Sequence, residues 1–389
     1  MTYDLLIQGG TVVDPSQSIH EPRDVAIEGD RIVAVEPNLQ PAAGTKVVDA
    51  RGQLVVPGLI DLHVHVYYRH MGLCLDADSL CAAGGVTTML DAGSAGSYNF
   101  GGFHHDNILR AQTQVFGLVN LSCMGLIVAH YGELMDRRYA DPEGVVATIE
   151  KYPEAAVGVK IRAGRHIIGE GQMGRDNFSD AVRAARESGT WLMVHIGESP
   201  MPIPEMLEQM EPGDCITHCF KSGSERILNA DGQLFDAVRE AAERGVIFDV
   251  GHGRGSFQWE TVEAAIEQGF EPTTISTDLH QMNINGPVYD MPTTMSKFLL
   301  LGCSLDRVVE MSTTVPARVL GQQGELGTLA VGTVADIAVL DQQQGSFLLS
   351  DSHDELRTGN VLLVAAATVR RGELLPGGGG TQMRHRADD

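Results

Sequence analysis

Between Pro57 and Gly321, short apolar runs alternate with amphipathic helical stretches, and this alternation limits the folds open to the chain more than any other feature. The apolar runs are LIDLHVH, VTTMLDAG, VFGLVNLS, AVGVKIR, WLMVHIG, CITHCF, VIFDVGH and TTISTD. Between them lie DNFSDAVRAARESG, GQLFDAVREAAERG and ETVEAAIEQG, each with acidic residues early, Arg or Gln late and glycine at the stop. That order suits the helix dipole and the C-cap. Strict alternation predicts a parallel sheet, and eight units predict a closed (β/α)8 TIM barrel, an α/β fold. No fixed-period repeat of the solenoid kind is present.

The flanks read differently. DLLIQGGTVVD, DVAIEGDRIVAVE and TKVVDARGQLVVPG are β-branched-rich runs bounded by Gly, Asp or Pro, the hairpin signature. Too few to close a domain alone, they find partners in GTLAVGTVADIAVLD and GNVLLVAAATVRRGELLP near the other end. The expected organisation is a small β-sandwich formed by both termini (1–56 and 322–376) around a barrel (57–321). The glycine-rich, polar segment 377–389 is expected to be a flexible tail.

Composition narrows the function. The formal net charge of −23 repels phosphate backbones and anionic lipid, so neither nucleic acid nor a membrane surface is an expected partner. A small anionic substrate stays possible, because a divalent metal or an arginine can dominate the local field. Six scattered cysteines without a CxxC pair read as buried free thiols in a reducing cytoplasm. The N-terminus lacks the pattern of a signal peptide, and no uncharged window approaches ~18 apolar residues. The expectation is a cytoplasmic protein; a homo-oligomer is compatible with the sequence, which locates no interface.

The residues that carry chemistry stand at the ends of the predicted strands. His63 and His65 lie two apart in LIDLHVHV and leave one face of the strand, so two neutral imidazoles can form two legs of a metal site. A core or capping hydrogen-bond network is the plain alternative. Lys160 sits inside AVGVKIR, where an ammonium is costly. It either snorkels to a carboxylate or, with its pKa lowered by burial, adds carbon dioxide to form a carbamate that can bridge two metals. His195 ends WLMVH, His218 ends CITH, and Asp278 ends TTISTD, where it can cap a helix, ligate metal or act as a general base.

The order HxH, Lys, His, His, Asp resembles the amidohydrolase superfamily, in its dihydroorotase, hydantoinase and N-acyl-amino-acid deacylase branch. VVPGLIDLHVH and GTLAVGTVADIAVLD look like that superfamily's entry and exit segments. The likeness is closest to its amidohydrolase/deacetylase group, through LDAGSAG, GVKIR, THCF, DVGHGRGSF, STDLH and PTTMSKFL. The resemblance implies two divalent metal ions, zinc first, bridged by N-carboxylated Lys160. By the same resemblance His63, His65 and Asp278 would hold one ion, His195 and His218 the other. It further implies attack of a hydroxide held between the metals on an ester or amide carbonyl, with Asp278 moving the proton. The implied substrate is a small acylated α-hydroxy or α-amino carboxylate, releasing its acyl group. A cyclic amidase of the dihydroorotase or hydantoinase kind shares the metal logic. A deaminase has no need of a bridging lysine, and a non-catalytic scaffold would have lost ligands that are all present here.

Substrate contacts are open at this stage. Arg162 shares the parity of Lys160 and either forks onto a substrate carboxylate or forms a salt bridge. Tyr67 continues the parity of His63 and His65 and can donate to the carbonyl or simply pack. His252, in VGHGRG, touches substrate or supports its loop, and His280 orients a ligand or touches substrate. His104, His105, His130 and His166 are expected in loops. The stretch AGSAGSYNFGG has neither a GK[ST] nor a GxSxG elbow around Ser94, so a phosphate loop and a serine nucleophile are both disfavoured.

Overall fold

A computed structural model describes residues 3–376, so the predicted tail at 377–389 lies outside the described residues. Seven parallel strands form one curled sheet: β1 (Leu59–Val64), β2 (Val86–Asp91), β3 (Gln114–Asn120), β4 (Ala156–Arg162), β5 (Trp191–His195), β6 (Cys215–Thr217) and β7 (Ile247–Asp249). Each pairs with its sequence neighbour, as crossover connections require. The three helices read from sequence lie within Gly171–Glu187 and at Asp236–Arg244 and Trp259–Glu267. Among the described residues no helix is long and apolar enough to cross a membrane.

The eighth run, TTISTD, is not a regular strand. It touches β7 and β1 through single parallel bridges, Asp249 to Thr274 and Val64 to Leu279. Side chains take over where the ladder is incomplete. Asp249 accepts from the hydroxyls of Thr274 (2.7 Å) and Ser276 (2.6 Å), and Asp61 accepts from the backbone N–H (3.1 Å) and hydroxyl (2.5 Å) of Thr277. Thus the barrel is closed by an irregular segment whose polar groups are met by two buried carboxylates.

A second irregularity aims the histidines. Ile60 and Leu62 face the barrel interior with Leu90, Leu118, Met193 and Cys215, whereas Leu59 and Val64 pack in the outer layer. The inward parity therefore changes along β1, at the register shift between Asp61 and Val64. Such a shift re-aims a side chain, here those of His63 and His65.

Strands from both ends of the chain build two further sheets. The first takes the order Arg31–Glu36, Asp24–Glu28, Leu5–Gln8, Lys46–Asp49. In the second the order is Glu373–Leu374, Leu356–Arg370, Ile337–Ser350, Leu54–Pro57, Thr11–Asp14, Ile19–Pro22. A separate core between them joins Leu5, Ile7, Val12 and Val25 to Ile337, Val339 and Val369. One expectation changes. DLLIQGGTVVD is not a hairpin, because its two halves lie in different sheets and Gly9–Gly10 carries the chain between them. A Cβ on Gly10 would stand 2.5 Å from Val55 Cγ2, so the crossing needs glycine. All six cysteines are unpaired and buried, as expected from their spacing.

The hairpin Ile337–Ser350/Leu356–Arg370 is long, and its tip reaches the loop after β7. Trp259 donates its backbone N–H to Asp351, and the Ser352 hydroxyl lies 3.3 Å from the carbonyls of His252 and Gly253. Asp249→Ala, which leaves the hydroxyls of Thr217, Thr274 and Ser276 without their acceptor, should destabilise the protein by about 3 kcal/mol in denaturant unfolding.

Candidate metal centre

The six strand-end residues predicted to carry the chemistry converge inside the mouth of the barrel. His63, Lys160, His218 and Asp278 are buried, as is His65. His63 Nε2 lies 3.5 Å and His65 Nε2 3.2 Å from the same oxygen, Asp278 Oδ1. Lys160 Nζ stands 3.4 Å from His63 Nε2 and 3.2 Å from Met193 Sδ. The ring of His218 lies 4.8 Å from that of His63 and 4.1 Å from that of His195, centroid to centroid. His63, His218 and Asp278 each offer a ligand atom within 4.8 Å of the others.

Three imidazoles are anchored by one nitrogen and present the other. His63 Nδ1 is 3.1 Å from Thr217 Oγ1, and the Thr217 hydroxyl in turn donates to Asp249. His65 Nδ1 is 2.8 Å from Ser94 Oγ, and His218 Nδ1 donates to the carbonyl of Gly251 at 2.6 Å. With Nδ1 donating, the Nε2 lone pairs of His63 and His218 point into the cluster, while His65 Nε2 faces Asp278. His218 Nε2 is buried and has no hydrogen-bond partner. Such an orphaned lone pair, facing a carboxylate and two further imidazoles, is what a divalent cation would satisfy. The donor set therefore fits a metal.

The electrostatics agree. Burial, reinforced by neighbouring cationic groups, holds His63 and His195 well below the usual imidazole range, and burial pushes His218 down to about 4. All three are thus neutral at pH 7, as metal coordination requires of an imidazole. Burial also pushes Lys160 down to about 8, against the opposing pull of Asp278, Cys215 and Asp249. Burial alone would raise Asp278, but the hydrogen bond from His65 and the fields of His218, His65 and His280 bring it to about 2.

Backbone conformation is part of the site. His218 (φ 68°) and Asp278 (φ 49°) are left-handed, a cost of order 1–3 kcal/mol each that only a well-determined setting sustains. Gly93, Gly251 and Gly253 approach so closely that a Cβ would meet Lys160 Cβ at 2.6 Å, Thr217 Oγ1 at 2.2 Å and Asp278 Oδ2 at 2.5 Å respectively.

The four residues read as substrate contacts are placed unevenly. Arg162 shares the inward parity of Lys160, but its guanidinium forks onto buried Glu133, at 2.6 and 2.7 Å. Tyr67 is buried, donates to the Asn99 carbonyl and stacks on His70. His252 is fully buried with both ring nitrogens engaged, Nδ1 by Gly253 O (3.0 Å) and Nε2 by Lys297 Nζ (2.6 Å). His280 has its ring 6.3 Å from that of His65. His104 and His105 meet Glu154 and Asp106, away from the cluster. Sequence reasoning missed Thr217, Asp249, Ser94 as an imidazole support, Glu133 and Lys297. The signal for Asp249 was present, a carboxylate between the apolar residues of VIFDVGH.

Gly93→Ala should lower stability by about 1–3 kcal/mol, since its φ of 80° and the 2.6 Å approach to Lys160 both resist a side chain. Thermal unfolding of that variant checks the close approach. A Gly93→Ala protein as stable as the parent would show that Lys160 can move aside freely.

Known proteins match over nearly the whole chain. A deacetylase of Agrobacterium fabrum is 37% identical over 335 residues, covering 86% of this chain and 82% of its own. A crystal structure of an adenine deaminase superposes with a TM-score of 0.88 at 35% identity, covering 96% of this chain and 99% of that one. A dihydroorotase crystal structure gives 0.87 at 32% identity, with the same coverage. The amidohydrolase family model matches residues 54–370, from the strand before the paired histidines to the end of the long hairpin. The chain is a hydrolytic enzyme and belongs to the amidohydrolase family.

Proposed function

We propose that the chain is a binuclear metal-dependent hydrolase that cleaves an ester or amide bond of a small acylated α-hydroxy or α-amino carboxylate. The observation that carries this reading is the convergence of imidazole Nε2 atoms, Asp278 and Lys160 around the orphaned His218 Nε2. The similarity to a deacetylase over most of both chains supports it. His63, His65 and Asp278 would hold one ion and His195 and His218 the other, with Lys160 between them. Zinc suits such a nitrogen-rich set best.

Lys160 is suited to a bridging role. Its buried amino group faces two uncharged acceptors, His63 Nε2 and Met193 Sδ, and burial favours its neutral form. Addition of Nζ to carbon dioxide forms an N–C bond and releases one proton, leaving a carbamate whose single negative charge is shared by two oxygens. Divalent ions held there supply Lewis acidity toward a carbonyl oxygen and a water acidic enough to react at neutral pH. Asp278, ionised and next to His65, accepts the proton of the attacking water at its carboxylate and returns it to the leaving oxygen or nitrogen. The Nδ1 partners of His63 and His218 keep these two imidazoles in one tautomer throughout, and Ser94 anchors the ring of His65. Arg162 and His280 border this cluster and would face the substrate, although two of the Arg162 nitrogens are already held by Glu133. Tyr67 and His252, whose polar atoms are engaged by protein groups, support its walls.

Elemental analysis of protein purified without chelator, with bicarbonate present, should give near two metal equivalents and a clear loss in Lys160→Ala. About one equivalent, unchanged by that substitution, would sink the carbamate bridge. Asp278→Asn should lower kcat on an acylated carboxylate by about 10²–10⁴-fold, the usual weight of general acid–base catalysis. The likeness to a dihydroorotase favours a second reading, a cyclic amidase. Ring opening of dihydroorotate or hydantoins, with no acyl release from linear substrates, would select it.

A further inference from the structure

Lys297 is a fully buried cation-forming group that the chemistry above does not use. It lies on the helix Met291–Leu300, which is N-capped by Asp290 and buried from Met291 to Phe298. Its Nζ stands 2.6 Å from His252 Nε2 and 3.0 Å from the Pro287 carbonyl, over the ring of Phe257 at 5.6 Å. Phe298, Phe257 and Trp259 make this an apolar surrounding in which a leucine or methionine would pack as well. The amine is there for its hydrogen bonds.

The partners fix who donates. His252 Nδ1 faces the Gly253 carbonyl, which can only accept, so Nδ1 carries the ring proton and Nε2 accepts from Lys297. Pro287 O accepts from the same amine. Lys297 thereby ties two loops together, the one after β7 and the one after Asp278. The first loop supplies Gly251 O to His218 Nδ1 and sets Gly253 against Asp278, and its backbone N–H groups at His252 and Gly253 bond Ser276 O and Thr277 O. Burial pushes the Lys297 amine down to about 7, in keeping with a group that donates without holding a full charge.

We propose that Lys297 is a positioning residue of the hydrolytic site: through His252 Nε2 and Pro287 O it locks the glycine loop that orients His218 and Asp278. This rests on the function proposed above, but its first test does not. Histidine-selective ¹⁵N labelling of the unmodified protein reads the His252 tautomer directly. The Nδ1–H form, with Nε2 unprotonated, is expected; an Nε2–H form overturns the proposal without any variant.

Lys297→Met then removes the donor while keeping the length and apolar contacts of the side chain. The ¹⁵N resonance of unprotonated His252 Nε2 should move downfield as it loses the hydrogen bond from Lys297, while Gly253 O keeps the proton on Nδ1. On an acylated carboxylate, kcat should fall at least about tenfold while KM stays within about twofold, the pattern of a group felt in the transition state rather than in binding. A lysine that only fills space would lower the thermal midpoint and leave the Nε2 resonance and kcat unchanged, and that result also overturns the proposal. Should Lys297→Met fail to fold, the tautomer of the parent decides. If the parent hydrolyses no acyl substrate, the proposed function falls. The tautomer of the parent and the Nε2 resonance of parent and variant then decide the role of Lys297 alone.

Discussion

A sheet that curls back on itself must hold its last segment, and here Asp61 and Asp249 bind its hydroxyls from the strands on either side, beside main-chain bonds to Phe248 and His63. Both carboxylates are buried, and burial lifts Asp61 to about 7 and raises Asp249. Neither could stay there without hydrogen-bond donors, which the threonine and serine hydroxyls of residues 274–277 provide. The same groups reach the site. Asp249 accepts from Thr217, which fixes His63, and Asp61 accepts from the backbone N–H of His63 itself. Barrel closure and imidazole orientation thus share one set of interactions, and neither can be altered without the other.

The remaining order of the site comes from backbone rather than from side chains. Left-handed conformations at His218 and Asp278, together with the glycines at 93, 251 and 253, let main chain approach the ligands closer than any Cβ allows. Local strain of this kind persists only when neighbours over-determine it. The 251–253 loop is held by three agents at once: the bridge-like bonds to residues 276 and 277, the Lys297–His252 contact and the Ser352 hydroxyl.

Much of this was legible in the residues. Strand–helix alternation carries the barrel, because period and punctuation are local properties. The candidate ligands stood out because imidazoles and an amine at the ends of apolar runs need a reason to be there. Closure by a segment with only isolated bridges was not legible, since TTISTD has the composition of a strand and its contacts with Asp61, Asp249 and the loop after β7 exist only in the folded barrel. Gly9–Gly10 likewise reads as a hairpin turn, and only the presence of Val55 across the gap makes it a crossing between sheets. The partner of Arg162 was hidden for a related reason: Glu133 lies in another loop, 29 residues away.

The tip of the long C-terminal hairpin has a consequence for how the enzyme comes into being. All six candidate ligands lie before residue 279, yet Asp351 and Ser352, which hold the loop after β7, are made more than seventy residues later. The strand Leu54–Pro57, which leads into β1, also waits for its partner Ile337–Ser350. A chain emerging from the ribosome therefore carries every candidate ligand long before it carries the pieces that hold them in register. Metal capture during synthesis would meet an unfinished cage, and the centre is completed only when the last strands close on the first.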